Sequence, residues 1–113
     1  LNYKKQVVNE EVFRNLLQAK DYINNMYLKP INLEDLTKIA LISKYAFIRL
    51  FKTTFGVTPY HYILQKRLFF AKNELLKGEK VSDVALIAGF ADTPTFSKAF
   101  KGYFGVSPVS ILK

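Results

Sequence analysis

Apolar residues recur at helical spacing along the whole chain. From about Glu11 to Tyr27, Val12, Leu16, Ala19, Ile23 and Met26 fall three or four residues apart, and Phe13, Leu17 and Tyr22 widen the stripe. That period predicts an amphipathic helix with one face toward a core. Lys29-Pro30 stops it, because proline cannot continue the hydrogen-bond ladder. Asn32 is placed to cap a short helix from Leu33 to about Leu41, and Glu34 and Asp35 suit the positive end of its dipole. Ser43 caps the next helix, whose inner stripe is Phe47, Leu50, Phe51 and Phe55. Gly56 ends it in the left-handed conformation that glycine accepts.

Thr58-Pro59 then reads as a hydroxyl cap followed by proline in the first turn. No glycine or proline interrupts the chain again until Gly78, so this helix runs for roughly 18 residues, or about 27 Å. The pattern restarts near Ser82 with a helix through Val84, Ala85, Ile87 and Ala88. Gly89 turns the chain, Asp92 and Pro94 open the following helix, Gly105 closes it, and Ser107-Pro108 begins a last short one. No segment alternates with strand period. The prediction is an all-α chain of about seven helices: two helix-turn-helix subdomains joined by a long central helix.

Two of these helices carry the same motif. Phe47, Arg49, Leu50, Phe51-Lys52, Phe55-Gly56-Val57 and Thr58-Pro59 are repeated as Phe96, Lys98, Ala99, Phe100-Lys101, Phe104-Gly105-Val106 and Ser107-Pro108. Self-similarity of this kind marks one supersecondary unit used twice. Two copies are too few for a solenoid and enough for a tandem binding module. A short helix, a tight turn and a second helix with an apolar inner stripe describe a helix-turn-helix. In the second copy Ala85 permits close helix approach and Gly89 accepts the turn. The first copy has Thr37 and Leu41 there. Leu41 is strained if the turn requires positive φ, and a different turn geometry is the alternative.

Charge sharpens the picture. The 113 residues carry a formal net charge of +8. No acid lies between Asp35 and Glu74, a window that holds Lys38, Lys44, Arg49, Lys52, Lys66, Arg67 and Lys72, and after Asp92 only Lys98, Lys101 and Lys113 are charged. Such segregation points to an anionic partner rather than a mixed solvated surface. Half the residues are apolar, so a core is within reach, although either half alone would be marginal. The expected division is a tail at 1–10, a first helix-turn-helix subdomain at 11–57, a connecting helix at 58–77 and a second subdomain at 78–113.

With both halves in view, the chain resembles the DNA-binding domain of the arabinose-regulator (AraC/XylS) family of bacterial transcription factors, over roughly residues 11–112. The carrying residues are Leu50-Phe51-Lys52, Gly56, Pro59 and Tyr62 in the first half. The connecting helix adds Arg67-Leu68, Ala71-Lys72 and Leu75-Leu76. The second half supplies Val84-Ala85, Gly89-Phe90, Phe96, Phe100-Lys101, Gly105 and Pro108. The resemblance implies two recognition helices entering successive major grooves from one rigid spacer. A spacer of about 27 Å plus helix widths suits readers one duplex turn, near 34 Å, apart. The family's closing Pro-x-x-aromatic-Arg is replaced by Pro108-Val109-Ser110-Ile111-Leu112, which loses an aromatic and a base.

On the first recognition helix Lys44, Tyr45, Ile48 and Arg49 lie off the inner stripe and are the candidate base contacts. Arg49 leads, because its planar fork can bond guanine O6 and N7 together, worth about 1–3 kcal/mol of discrimination. The resemblance places Tyr45 at a position that reaches the groove. On the second helix the corresponding candidates are Thr93, Pro94, Ser97 and Lys98, a weaker set without a bidentate donor. Ser43, Lys52, His61 and Lys101 are the candidate phosphate contacts. The phenylalanine stripes read as core rather than base-stacking platforms, and Tyr60, Tyr62, Phe69 and Phe70 are expected to pack.

Other classes fit less well. The chain has no cysteine and one histidine, hence no thiolate nucleophile, disulfide framework or metal-ligand cluster. No cofactor and no enzyme activity are expected. Duplex RNA would refuse these helices in its narrow major groove. The alternative is a helical interaction module that docks on RNA polymerase or another protein with only weak non-specific DNA affinity. No apolar run approaches a membrane span, and a cytoplasmic setting is expected. The chain begins at Leu1 rather than at methionine, and a longer protein with an effector or sensor domain upstream is the expectation.

Overall fold

The structure is a computed structural model that describes residues 9–112; the expected tail therefore lies mostly outside the described residues. Seven helices follow in order: α1 (Glu10–Met26), α2 (Leu33–Ala40), α3 (Lys44–Phe55), α4 (Pro59–Leu76), α5 (Val81–Ile87), α6 (Thr93–Phe104) and α7 (Pro108–Ile111). No strand occurs among the described residues. Packing divides the chain into two units, with the division inside α4 between Ile63 and Leu64.

Local side-chain chemistry sets most of the boundaries. Asn9 caps α1 through a 2.9 Å bond from the Val12 N–H. Asn32 and Asp35 form a capping box at α2, each accepting the other's backbone N–H, at 2.8 and 3.3 Å. Ser43 accepts from Ala46 N–H at 3.2 Å, and Thr58 from His61 N–H at 3.1 Å. Gly56 and Gly105 end α3 and α6 at φ 87° and 82°. At α5 the expectation shifts. Ser82 lies inside the helix, Lys80 takes the cap position, and no side-chain bond caps it.

Each unit is built from the same three-helix plan. In the first, Leu16, Ala19 and Ile23 of α1 face Leu36 and Ala40 of α2 and Phe47 and Phe51 of α3. In the second, Leu68, Ala71 and Leu75 of α4 face Val84 and Ala88 of α5 and Phe96 and Phe100 of α6. The ring geometry repeats as well. Phe47 and Phe51 centroids lie 5.6 Å apart and Phe51 and Phe55 4.7 Å; Phe96 and Phe100 lie 5.5 Å apart, and Phe100 and Phe104 4.6 Å. The duplication thus extends past the repeated motif. The latter part of α4 is to the second unit what α1 is to the first.

Lysines mark the same correspondence. Lys20 of α1 sits 4.6 Å from the Phe55 ring centroid, and Lys72 of α4 sits 5.1 Å from that of Phe104. These are cation–π contacts at equivalent places. Full burial of a phenylalanine is worth about 1.5–3 kcal/mol, and four of them are fully buried here, two in each unit. The core reading of the phenylalanine stripes therefore holds, with Phe55 and Phe104 partly buried at the margins. Ile111 and Leu112 pack on the second core.

Several expectations of burial need correction. Phe13 and Leu17 are exposed, because three buried positions per two turns already fill the face of α1. Tyr60 is 72% exposed and Phe69 49%; Phe69 sets its ring edge-on to Tyr103 and Phe104 instead of entering the core. The first turn is resolved in favour of strain. Leu41 has φ 60°, the one positive value among described non-glycine residues, with its N–H bonded to Thr37 O at 2.8 Å. Its side chain is 73% exposed, so no burial offsets a cost of about 1–2 kcal/mol.

Candidate nucleic-acid interface

Burial of two phenylalanines fixes the rotation of each recognition helix and decides what faces outward. With Phe47, Leu50 and Phe51 turned in, α3 presents Tyr45, Arg49 and Lys52, all exposed, Tyr45 at 78%. With Phe96 and Phe100 turned in, α6 presents Pro94, Lys98 and Lys101. These correspond position by position: Tyr45 to Pro94, Ile48 to Ser97, Arg49 to Lys98, Lys52 to Lys101. Neither helix contains an acid.

The remaining candidates sit at the edges. Lys44 is exposed in the first turn of α3, beside the capping Ser43. Ile48 is 37% exposed and forms one wall of an apolar hollow of about 200 Å³ with Leu36, Pro59, Tyr60 and Ile63. Thr93 and Ser97 are half-buried, so the fully open surface of α6 is narrower than the sequence suggests. Thr95 is exposed but lies toward the side of α6, and Thr53, also exposed, returns its hydroxyl to Arg49 O at 2.9 Å. His61 is exposed in the first turn of α4, with its ring 6.3 Å from that of Tyr60. Tyr60, like Phe69, is a surface aromatic that sequence reasoning missed. Pro59 before it is buried, and the rotation of α4 about its buried residues turns Tyr60 out together with His61.

The two helix starts differ in charge. Ser43 caps α3 with a neutral hydroxyl, whereas Asp92 caps α6 with a carboxylate that accepts from Thr95 N–H at 2.8 Å. Hydrogen bonds from the Thr95 side chain and backbone hold the Asp92 carboxyl below its usual range, so it is ionised at neutral pH. Among the described residues no group of histidine, cysteine and carboxylate side chains is arranged to hold a metal ion, and no helix is long and apolar enough to cross a membrane.

Two three-helix units, each with a short helix, a tight turn and an outward-facing cationic second helix, define a helix-turn-helix protein of the transcription-regulator class. A helix-turn-helix domain family matches residues 36–113. Probable transcriptional regulator LumQ of Photobacterium leiognathi is 36% identical over 95 residues, which cover 83% of this chain and 38% of that protein. The lactose operon transcription activator of Staphylococcus xylosus is 32% identical over 102 residues, 89% of this chain and 35% of that protein. The crystal structure of a probable AraC family transcriptional regulator from Rhodopseudomonas palustris CGA009 is similar with a TM-score of 0.80 at 28% identity, covering 88% of this chain and 94% of that one. The chain belongs to the AraC/XylS family, as a helix-turn-helix DNA-binding domain of transcription regulators. The family is one of regulators, not enzymes. The chain spans little more than a third of the length of LumQ and of the lactose operon activator.

Proposed function

We propose that this domain reads a specific double-stranded DNA sequence, with α3 and α6 entering successive major grooves. The observation that carries the reading is the position-by-position match of two acid-free outward faces, each set by a buried phenylalanine pair. Arg49 is the principal base reader, through a bidentate bond to guanine. Tyr45 offers its ring to a thymine methyl or its hydroxyl to a phosphate, and Lys44 and Ile48 flank it. Lys52 and Lys101 meet phosphates, assisted by Ser43 and His61.

The second reader contributes less discrimination. Pro94 has no donor, Thr93 and Ser97 are half-buried, and Lys98 acts as a point charge. The Asp92 carboxylate at its start opposes nearby phosphates. The half-site under α6 is therefore held mainly through its backbone. In the full regulator, an effector or sensor domain supplies the signal, RNA polymerase is the downstream partner, and the cytoplasm is the setting. The relatives' greater length and regulatory names support that reading.

Selection from a random duplex library at near-physiological salt, with excess unrelated competitor, tests the proposal. Two half-sites about ten base pairs apart are expected, with sharper base preference under α3. Enrichment of a single half-site would restrict reading to α3. No enrichment would favour a module that docks on RNA polymerase and binds DNA only weakly.

A further inference from the structure

The cationic window of the sequence includes Arg67, yet its guanidinium is engaged within the second unit. A Cβ built on Gly89 would lie 3.0 Å from Arg67 Cζ, 3.1 Å from Nε and 3.2 Å from Nη1. Three guanidinium atoms at nearly equal distance mean that the flat group covers the glycine backbone. Nη1 also donates to Gly89 O at 3.4 Å. Gly89 has φ 94° and forms the turn between α5 and α6, where its own N–H bonds to Leu86 O and that of Phe90 to Ala85 O, both at 3.0 Å. Any side chain at this position would displace the arginine as well as strain the backbone.

The need for such a brace follows from α5. It has seven residues and no side-chain cap, whereas α2 has a full capping box. A helix this short does not persist on its own local bonds. The first unit shows no such clamp at the matching place: Asn15 stands where Arg67 does, and the strained, outward Leu41 stands where Gly89 does.

We propose that Arg67 is a positioning residue for DNA recognition: by covering Gly89 it holds the turn that sets α6 against the second half-site, rather than contributing a phosphate contact. This rests on the DNA-reading proposal above, but its structural half is independent of DNA. Arg67→Gln, Arg67→Lys and Arg67→Ala separate shape from charge. Glutamine keeps a flat donor group without charge, and lysine keeps the charge without the plane.

Amide hydrogen exchange at Gly89 and Phe90 of the free protein is the first readout. Exchange at least tenfold faster in the lysine variant, largely restored in the glutamine variant, is expected; unchanged exchange in all three would overturn the proposal. The second readout is binding of the duplex selected by the wild-type protein across a salt series. Lysine and alanine variants should bind on the order of tenfold more weakly, the scale of one lost base contact, with the log–log salt slope unchanged. Wild-type-like binding by the lysine variant, with a slope reduced by about one in the glutamine variant, would instead make Arg67 a phosphate contact. A wild-type protein with no sequence preference defeats the DNA reading, and the exchange readout then decides the role of Arg67 alone.

Discussion

The Tyr62 hydroxyl donates a 2.6 Å hydrogen bond to Asn24 Oδ1, tying the first turn of α4 to the C-terminal half of α1. The same ring packs near Phe51, with centroids 6.1 Å apart. Burial raises the Tyr62 pKa above its ordinary 10.0, and the Asp21 carboxylate adds to the rise. Tyr62→Phe should cost about 1 kcal/mol in urea unfolding. A group with a raised folded pKa contributes stability that is complete below the unfolded pKa and is lost as pH climbs through the folded one. The wild type should therefore lose stability above about pH 10 in excess of the phenylalanine variant. Parallel pH profiles would show that the tyrosine is as solvated folded as unfolded.

Leu41→Gly should stabilise the protein. Relief of left-handed strain, about 1–2 kcal/mol, outweighs the extra flexibility of glycine in the unfolded chain, about 0.5–1 kcal/mol. Thermal unfolding should show a net gain of roughly 0.5–1 kcal/mol. A loss would mean that the exposed side chain makes a contact worth more than the strain.

Arg49→Ala is expected to relax specificity at one base position, by about 1–3 kcal/mol. Competition among duplexes differing at single positions is the measurement. Uniform weakening across all sequences would reassign Arg49 to the phosphate backbone.

Lys52→Ala should weaken every duplex alike and reduce the salt slope by about one. An unchanged slope in the salt titration removes Lys52 from the phosphate set.

Asp92→Asn keeps an oxygen for the Thr95 N–H while removing a negative charge from the start of α6. Binding at low salt should tighten by roughly two- to fivefold, and the gain should fade as salt rises. The substitution should also lessen the loss of stability in acid. The Asp92 pKa is lowered in the fold, so its contribution is present above the unfolded pKa near 3.8 and is lost as pH falls through the folded value. Affinity unchanged at every salt concentration would put Asp92 out of reach of phosphates.

Helix ends were the most legible part of the sequence, because their causes are local. Asn32, Ser43, Gly56, Asp92 and Gly105 act on backbone groups within four residues and need no tertiary context. What sequence hid was the width of each buried face. Phe13, Leu17, Tyr60 and Phe69 have the composition and approximate period of core residues. Only the packed neighbours determine which of them remain outside. The second role of α4 was hidden for a related reason. Leu68, Ala71 and Leu75 repeat the spacing of Leu16, Ala19 and Ile23, but the surrounding apolar residues of α4 blur that stripe. Of the candidate site, the outward set on α3 was readable once Phe47 and Phe51 were taken as core. On α6 the half-burial of Thr93 and Ser97 was not, since small hydroxyl residues carry no burial signal of their own.

Lys20 and Lys72 look like ordinary surface charge in a composition table, yet each lies over the phenylalanine that ends its unit's recognition helix. They act as staples for the fold. The +8 formal charge therefore overstates the cationic groups that remain for a ligand. Counting every base in the acid-free window would predict about seven neutralised phosphates and a salt slope near −6. With Lys72 over a ring and Arg67 against the second turn, the measured slope should be shallower than that count implies.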